Sequence, residues 1–302
     1  MRAAIVTNPG GPEAIELVDL PDPVPGEGEV LLSLEAAGVN PVDAQTRSGV
    51  YHELGWVSVT SVGLGWDAVG VIVARGPGVS RLAVGQRVAA LIGGVDRAHG
   101  PYAERMVIAA DDCALVPASL SSDLAATIPL NATTAYQALA LVGEPRGRRL
   151  LVTGAAGGVG GYAIELARDL GFTVTGLARA TDADSVRRTG AMFTESLTGD
   201  ILFDAVLDAA AVGNEALAST RDGGDYVGVI PVAVPDSVRG IRTQAVVVSP
   251  DGELLKKLLK AAVADALTPR VHTVMSLSEV HAAHRLLDAG GFRGRIVLDP
   301  QQ

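Results

Sequence analysis

The sequence has a single cysteine, Cys113, among its 302 residues. One thiol can form neither an intrachain disulfide nor a zinc site built from several cysteines. This scarcity fits a reducing compartment, and we expect a cytoplasmic protein. Cationic side chains are also few, since 24 Lys and Arg face 34 Asp and Glu and the formal charge is -10. That charge has the wrong sign for a phosphate backbone, so no nucleic-acid partner is expected.

Long uninterrupted apolar segments are missing as well. No stretch reaches the roughly 18 residues that a membrane-spanning helix needs. The N-terminal segment MRAAIVTNPGG contains too short an apolar run for a signal peptide. We therefore expect a soluble protein with no membrane partner. Hydrophobic residues still make up 48% of the chain, which is enough for one large or two medium cores.

The pattern of apolar and turn-forming residues changes near residue 120. Before that point, short β-branched runs alternate with Pro and Gly, which predicts a mostly antiparallel β region. These runs are 14–20, 30–36, 68–75, 87–92 and 102–110. After it, short apolar runs alternate with helical periodicity, as in βαβ units with a parallel sheet. The strands predicted there are 150–153, 172–177, 203–207, 226–230 and 244–248.

From Pro269 the sequence again has the pattern of short strands, and it ends in a predicted strand at 294–298. We therefore predict that the first domain recruits the C-terminal segment. Its predicted bounds are 1–119 with 267–302, and the parallel-sheet domain is predicted to span 120–266. The fold class is thus α/β, with a mostly β domain beside a parallel sheet.

Residues 150–179 read LLVTGAAGGVGGYAIELARDLGFTVTGLAR. They place a strand, a tight turn, a helix and a second strand in the order that a dinucleotide site requires. Gly158, Gly160 and Ala163 have the G-x-G-x-x-A spacing, in which small residues let the backbone approach a diphosphate. Amides at the helix start would attract its phosphates. A lone match could be an ordinary turn, but the flanking strands and helix favour dinucleotide binding.

The end of the second strand indicates which cofactor is bound. An NAD site usually has an Asp or Glu about 20 residues after the glycines. Here the chain reads Leu177, Ala178 and Arg179, and no carboxylate appears before Asp182. The Arg179 guanidinium would suit a 2′-phosphate, with Arg187 or Arg188 as alternative anchors, so NADPH is the expected cofactor. The sequence leaves open that Arg179 is a solvated surface arginine.

The segment from Thr153 to Gly160 also fits T-G-x-x-x-G-x-G, a pattern that resembles the short-chain dehydrogenase/reductases. Two features argue against that family. The motif lies in the middle of the chain, and no tyrosine is followed four residues later by the lysine that the family uses.

With a β domain ahead of the turn, the chain resembles the zinc-independent medium-chain dehydrogenase/reductases of the quinone oxidoreductase branch. The matching motifs, in order, are AAGVNPVDAQTRSGVY at 36–51, GWDAVGVIVARGPGVSRLAVGQRV at 65–88, AATIPLNATTAYQAL at 125–139 and TGAAGGVG at 153–160. The resemblance implies a GroES-like, mostly β domain, a Rossmann domain with a doubly wound parallel sheet, and a cofactor cleft between them. It also implies a homodimer, for which the 244–248 strand is a reasonable edge.

Zinc-dependent relatives would place a cysteine within 38–41 and a His-Glu pair where this chain has Trp66 and Asp67. Both are missing, so no metal is expected. His281 and His284 share a helical face at i and i+3, and we interpret them as a solvated helix surface rather than a metal site.

The resemblance also carries over candidate site residues. The catalytic candidates are Asn40 and Tyr51. The cofactor-binding candidates on this ground are Thr134, Val229 and Ile230. The glycine-rich turn and the second strand add the candidates found from the motif itself, which are Gly154, Ala156, Gly157, Gly158, Val159, Gly160 and Arg179. Asn40 could instead cap the loop before Pro41, and Tyr51 could be an exposed aromatic in the 49–52 loop. Trp56 and Trp66 bracket a loop that could wall a flat apolar substrate, with core packing an equal alternative for Trp66.

The function that the resemblance implies is an NADPH-dependent reductase that transfers hydride to a small-molecule quinone or α,β-unsaturated carbonyl. Two alternatives keep the fold: an enoyl reductase acting on a specific biosynthetic intermediate, and a non-catalytic NADPH-binding regulator. Hydrolase and NTPase functions have no local support, because no G-x-S-x-G, P-loop or H-E-x-x-H motif occurs.

Overall fold

The structure is a computed structural model that describes residues 1–199 and 201–302. Contacts between Cα atoms divide the chain into two compact units. The first unit consists of Met1–Leu130, Ser249–Ala264 and Pro269–Gln302, and the second consists of Asn131–Val248 and Asp265–Thr268.

The first 130 residues are mostly strands, as their short β-branched runs predict. The strands are β1 (Arg2–Val6), β2 (Ile15–Asp19), β3 (Glu29–Val39), β4 (Val62–Gly63), β5 (Asp67–Arg75), β6 (Arg87–Leu91), β7 (Arg105–Ala109) and β8 (Cys113–Leu115). The helices are α1 (Pro41–Ser48), α2 (Val50–Glu53) and α3 (Ser122–Ala125). Apolar side chains of β3, β5 and β6 form one core cluster, which includes Leu32, Ile72 and Val88.

The second unit is built on a parallel sheet, and α4 (Pro129–Val142) leads into it. Its strands are β9 (Arg149–Thr153), β10 (Thr173–Leu177), β11 (Met192–Thr194), β12 (Phe203–Asp208), β13 (Thr220–Gly228) and β14 (Arg242–Ala245). Its helices are α5 (Gly158–Leu170), α6 (Ala183–Arg188) and α7 (Asn214–Ala218). The strand order β11-β10-β9-β12-β13-β14 is that of a doubly wound sheet and confirms the predicted fold.

After β14 the chain returns to the first unit. The returning elements are α8 (Gly252–Val263), β15 (Val271–Ser276), α9 (Val280–Ala289) and β16 (Arg295–Asp299). Strand β16 pairs antiparallel with β3, with Ile296 opposite Val39, and extends a seven-stranded sheet. The strand predicted at 294–298 is therefore confirmed as part of the first unit. Over the described residues, no helix combines the length and the apolar character needed to cross a bilayer.

The division into units differs from the predicted domain boundaries in three places. Residues 267–268, which the prediction gives to the mostly β domain, belong to the second unit. Residues 120–130 and helix α8, which the prediction gives to the parallel-sheet domain, belong to the first unit. Helix α8 packs on β8, and an added Cβ on Gly252 would lie 2.3 Å from the Asp111 carbonyl oxygen. A leucine pattern predicts a buried helix face without telling which sheet it covers.

Two predicted strands of the parallel sheet are shifted. The strand predicted at 226–230 ends two residues earlier, at Gly228, and the strand predicted at 244–248 ends at Ala245. Strand β14 lies at the edge of the sheet. The homodimer expected through this edge stays a prediction.

The interpretation of His281 and His284 as a solvated surface is wrong. His284 is fully buried, and its Nδ1 lies 3.0 Å from Arg47 Nη1. Arginine only donates, so Nδ1 is the acceptor and the proton lies on Nε2. His281 Nε2 lies 2.8 Å from the Ile15 carbonyl oxygen. Burial, with the Arg47 charge adding to it, lowers the pKa of His284 to about 3.

This histidine predicts a pH-dependent stability. Its pKa in the folded state is about 3 and the ordinary value is 6.5, so the unfolded chain binds more protons between these values. The free energy of unfolding should therefore fall as the pH falls through this window, by up to about 1.4 kcal/mol per pH unit. His284→Gln keeps an acceptor for Arg47 but does not titrate, and it should lose this part of the slope.

Urea titrations from about pH 4 to pH 7 measure the effect. His281→Gln, on the same helix, is the matched control and should keep the slope of the wild type. Identical slopes for the wild type and His284→Gln would contradict the prediction.

Candidate functional site

A tight turn joins β9 to α5 in the second unit. Gly154 adopts φ +59°, a left-handed conformation that glycine accepts without strain. An added Cβ on Gly160 would lie 2.2 Å from the Gly154 carbonyl oxygen, so no larger residue fits. Ala163, one turn further along α5, is fully buried. The helix therefore begins directly against the end of β9, and its free amides favour a phosphate group there.

The turn brings six of the predicted cofactor residues together. These are Gly154, Ala156, Gly157, Gly158, Val159 and Gly160. Gly157 is exposed whereas Gly160 is buried, so one side of the turn is packed and the other is open. Because β9 and β12 are the neighbours at which the strand order reverses, the turn lies where doubly wound folds bind nucleotides. The residues present fit the diphosphate of a dinucleotide.

Arg179 follows β10, next to β9 in the sheet. Its side chain is 61% exposed, and its Nε lies 2.9 Å from Oδ2 of Asp182, which is buried. The carboxylate holds one side of the guanidinium while most of the group faces solvent. Arg179 is thus an exposed arginine, paired with Asp182, at the carboxyl edge of the sheet, and this geometry agrees with either interpretation of its role.

The remaining predicted cofactor residues have less polar surroundings. Val229 and Ile230 follow β13 at the same edge of the sheet, and both are half-buried. The Val229 amide donates to the Asp208 carbonyl oxygen at 3.2 Å, which extends the strand pairing beyond β13. Thr134 is buried in α4.

Asp208, the last residue of β12, was not predicted. Five groups donate hydrogen bonds to its carboxylate: the Thr153 and Tyr226 hydroxyls and the amides of Ala210, Val212 and Gly213. Burial acts to raise the pKa of Asp208, but these donors together hold it below its ordinary value. The available signal was a carboxylate ending the apolar run FDAVLD, at the edge where parallel-sheet proteins place functional groups.

In the first unit, Asn40 is the N-cap of α1 and is buried. Its Nδ2 donates to Asp67 Oδ2 at 2.6 Å, and its amide donates to Asp43 Oδ2 at 2.9 Å. Asp43 also accepts from the Gly65 amide and the Tyr102 hydroxyl. These contacts support the capping alternative for Asn40.

Asp43 and Asp67 have raised pKa values. Burial raises the pKa of Asp43 to about 6 and that of Asp67 to about 7, although hydrogen bonds to each act in the opposite direction. Asp67 Oδ1 accepts the Leu130 amide at 2.7 Å, at the start of α4. Both carboxyl groups therefore titrate close to neutral pH.

Tyr51 lies on the short helix α2, so the prediction of a loop at 49–52 is corrected. Its hydroxyl donates to Gln45 Oε1 at 2.7 Å, and its ring stacks on Trp56 with centroids 5.7 Å apart. Burial raises the pKa of Tyr51, and the charge of Asp43 adds to this. A phenol that keeps its proton at neutral pH can donate a hydrogen bond but is a weak acid.

The two tryptophans have different surroundings. Trp66 is 8% exposed and packs in the interior, as the core alternative predicts, whereas Trp56 is 46% exposed. The loop after Trp56 is fastened by Asp96, whose carboxylate accepts the amides of Ser58 and Val59 and the Ser58 hydroxyl. Of the two tryptophans, Trp56 alone is therefore open to contact with a bound molecule.

The positions that would hold the His-Glu pair of the zinc-dependent relatives are occupied by Trp66 and Asp67. Trp66 is apolar, and both oxygens of Asp67 accept protein hydrogen bonds, from Asn40 and from Leu130. Throughout residues 1–199 and 201–302, no three His, Cys, Asp or Glu side chains lie together as a metal ion would require.

Comparisons with known proteins decide the family. Residues 26–118 match the family described as alcohol dehydrogenase GroES-like domain, and residues 178–298 match the one described as zinc-binding dehydrogenase. A 2-methylene-furan-3-one reductase from Solanum lycopersicum is 30% identical over 99% of this chain and 79% of its own length. The chain belongs to the medium-chain dehydrogenase/reductase superfamily.

Solved medium-chain dehydrogenase/reductases have the same fold. A quinone oxidoreductase from Coxiella burnetii is 28% identical, with a TM-score of 0.87 and 99% of both chains covered. A mycobacterial protein solved in complex with NADPH is 30% identical, with a TM-score of 0.84, covering 99% of this chain and all of its own. Several other curated relatives are matched over only about half of their own length. The predicted combination of a GroES-like domain and a Rossmann sheet is confirmed.

The crowding at Gly160 predicts the effect of a single methyl group. Gly160→Ala would place Cβ 2.2 Å from the Gly154 carbonyl oxygen, and rigid backbone on both sides cannot move away. We expect stability to fall by about 1–3 kcal/mol and the Kd for nicotinamide dinucleotides to rise at least about tenfold. Protein fluorescence titration and thermal unfolding measure the two quantities.

Gly224→Ala is the matched control. An added Cβ there would lie 2.9 Å from the Asp204 carbonyl oxygen, near the opposite end of the same sheet. This variant should lose stability and keep its affinity. An unchanged Kd in Gly160→Ala would contradict the role of the turn.

Proposed function

We propose that this chain is an NADPH-dependent, zinc-independent reductase that delivers hydride to a quinone or an α,β-unsaturated carbonyl. The observation that carries the proposal is the approach of Gly160 to the Gly154 carbonyl, which makes a diphosphate cradle at the point where the strand order reverses. Relatives named as a quinone oxidoreductase and as a 2-methylene-furan-3-one reductase support the acceptor class. The relative solved with NADPH supports the choice of cofactor.

In this proposal, the turn from Gly154 to Gly160 holds the diphosphate and Arg179 holds the 2′-phosphate. The pairing with Asp182 reduces the side-chain freedom that Arg179 loses on binding, because one side of the guanidinium is already fixed. Thr134, Val229 and Ile230 are assigned to the nicotinamide. No zinc takes part, since the positions that would supply its ligands hold Trp66 and an Asp67 whose two oxygens each accept a protein hydrogen bond.

Hydride transfer requires little acid–base catalysis from the protein. When bound, a reduced nicotinamide supplies hydride from its C4. A quinone that accepts this hydride and one proton becomes the hydroquinone, and an enone accepts the hydride at its β carbon and a proton at its α carbon. Water supplies the proton in both cases. Negative charge grows on the acceptor oxygen, where a hydrogen bond from Tyr51 stabilises it once the hydroxyl turns away from Gln45.

Cofactor choice is tested at Arg179. Arg179→Ala removes the cation assigned to the 2′-phosphate, so the Kd for NADPH should rise at least about tenfold while that for NADH changes by less than about twofold. Arg221 is the matched control, because it is similarly exposed, also pairs with an aspartate and lies near the opposite end of the same sheet. Arg221→Ala should change neither constant. Equal effects of Arg179→Ala on both cofactors would remove the argument for NADPH.

Acceptor chemistry is tested by following NADPH oxidation with 9,10-phenanthrenequinone, 1,4-benzoquinone and small enones. Tyr51→Phe should lower kcat/KM about two- to tenfold without abolishing turnover, since it removes one hydrogen bond. Tyr136→Phe, at an exposed tyrosine of α4, should match the wild type. An inactive Tyr51→Phe would show that the phenol transfers a proton.

The same assay separates the reductase from the non-catalytic regulator. Tight NADPH binding by the wild type with no oxidation by any of these acceptors would favour the regulator.

A further inference from the structure

The carboxylate of Asp208 joins three segments at one edge of the parallel sheet. In the register of the strands it lies opposite Thr153, the residue before the glycine-rich turn, and opposite Gly228 on the other side. Its five donors come from β9, from β13 and from the loop at 209–213. None of the hydride-transfer steps proposed above uses this group.

The loop at 209–213 packs against the glycine-rich turn. An added Cβ on Gly154 would lie 3.2 Å from Ala210 Cβ and 3.4 Å from the Ala209 carbonyl oxygen. Ala211 within this loop has φ +53°, a conformation that costs energy for a residue with a side chain. The loop therefore needs external contacts to keep its shape, and the amides that Asp208 accepts lie on both sides of Ala211.

We propose that Asp208 is a positioning residue for the cofactor: it fixes the 209–213 loop against the glycine-rich turn and so shapes one wall of the dinucleotide site. The inference rests on the proposed function, because the turn is taken to hold a dinucleotide. In this role Asp208 acts through the loop and its hydrogen bonds to the loop amides.

A carboxylate suits this position better than any other side chain of its size. Two oxygens with four lone pairs face donors only, and an amide in their place would turn its NH2 group toward other N–H or O–H groups. The Ala210 amide also donates a hydrogen bond to Thr153 Oγ1 at 3.0 Å, which joins the 209–213 loop directly to β9. The negative charge is buried and shared among five donors, which reduces its repulsion of a nearby diphosphate.

The test is Asp208→Asn, with the Kd for NADPH and NADH and the hydrogen exchange of the cofactor-free protein as readouts. The amides of Ala210, Val212 and Gly213 should exchange slowly in the wild type and at least about tenfold faster in the variant. The Kd for both cofactors should rise by the same factor, at least about tenfold, because the loop borders parts that NADPH and NADH share. This differs from Arg179→Ala, which should change their ratio.

Asp225→Asn controls for a general loss of stability. Asp225 is a buried carboxylate of the same sheet that pairs with Arg148 and Arg242, and it lies toward the opposite end of the strands. This variant should lose stability and retain both Kd values. Tyr226→Phe removes a single donor and should raise both constants about two- to fivefold, which provides a milder change if Asp208→Asn does not fold.

Each outcome separates this inference from the proposed function. Faster exchange of the loop with unchanged Kd values, or unchanged exchange, would overturn the positioning role alone. A wild type that binds neither cofactor would overturn the proposed function and this inference with it. If Asp208→Asn and Asp225→Asn raised the Kd values by the same factor, Asp208 would contribute only to general stability and the positioning role would be overturned.

Discussion

The approach of the Gly160 backbone to the Gly154 carbonyl oxygen is the contact on which the second unit depends. It brings the first turn of α5 against the end of β9, and only a residue without a side chain allows it. Buried Ala163 continues the same close packing one turn later. The helix start therefore presents its free amides at the edge where the strand order reverses, which is where a doubly wound sheet can accept a dinucleotide.

Three buried carboxylates in this protein differ both in the depth of their burial and in the number of hydrogen bonds that they accept. Asp208 accepts five hydrogen bonds, and its pKa lies below the ordinary value. Asp43 and Asp67 accept fewer, and burial raises their pKa values to about 6 and about 7. Burial alone disfavours an ion, and only a full set of donors compensates for the lost water. Asp208 therefore keeps its negative charge while it holds the 209–213 loop. Asp67, with a pKa of about 7, is partly protonated at neutral pH.

Much of the architecture could be predicted because it depends on patterns of residues that are close together in the chain. The alternation of apolar runs and helical periodicity gave the parallel sheet, and the spacing from Gly158 to Ala163 located the turn. The unit to which α8 belongs could not be predicted in this way, because its leucines could pack equally well against either sheet. Its true partner is revealed by Gly252 and Asp111, which are far apart in the chain and whose contact leaves no periodic signal.

The same limit explains the errors at single side chains. The i, i+3 spacing of His281 and His284 marks one face of α9 but not the direction in which that face points. The burial of His284 depends on Arg47, which lies 237 positions away in the chain. Asp208 was missed because its donors belong to separate strands, and its importance exists only once the sheet is assembled.

The pairing of β16 with β3 has a consequence for biosynthesis. The seven-stranded sheet cannot be completed until Ile296 has left the ribosome to meet Val39, which emerges far earlier. The second unit is formed almost entirely by the continuous segment Asn131–Val248 and can assemble before that moment. In the interval, residues 37–39 at the end of β3 lack their partner strand, while β5 and β7 pair with its earlier residues, and unpaired edges attract the strands of other chains. The unfinished first unit is therefore most open to pairing with another chain at this short segment of β3.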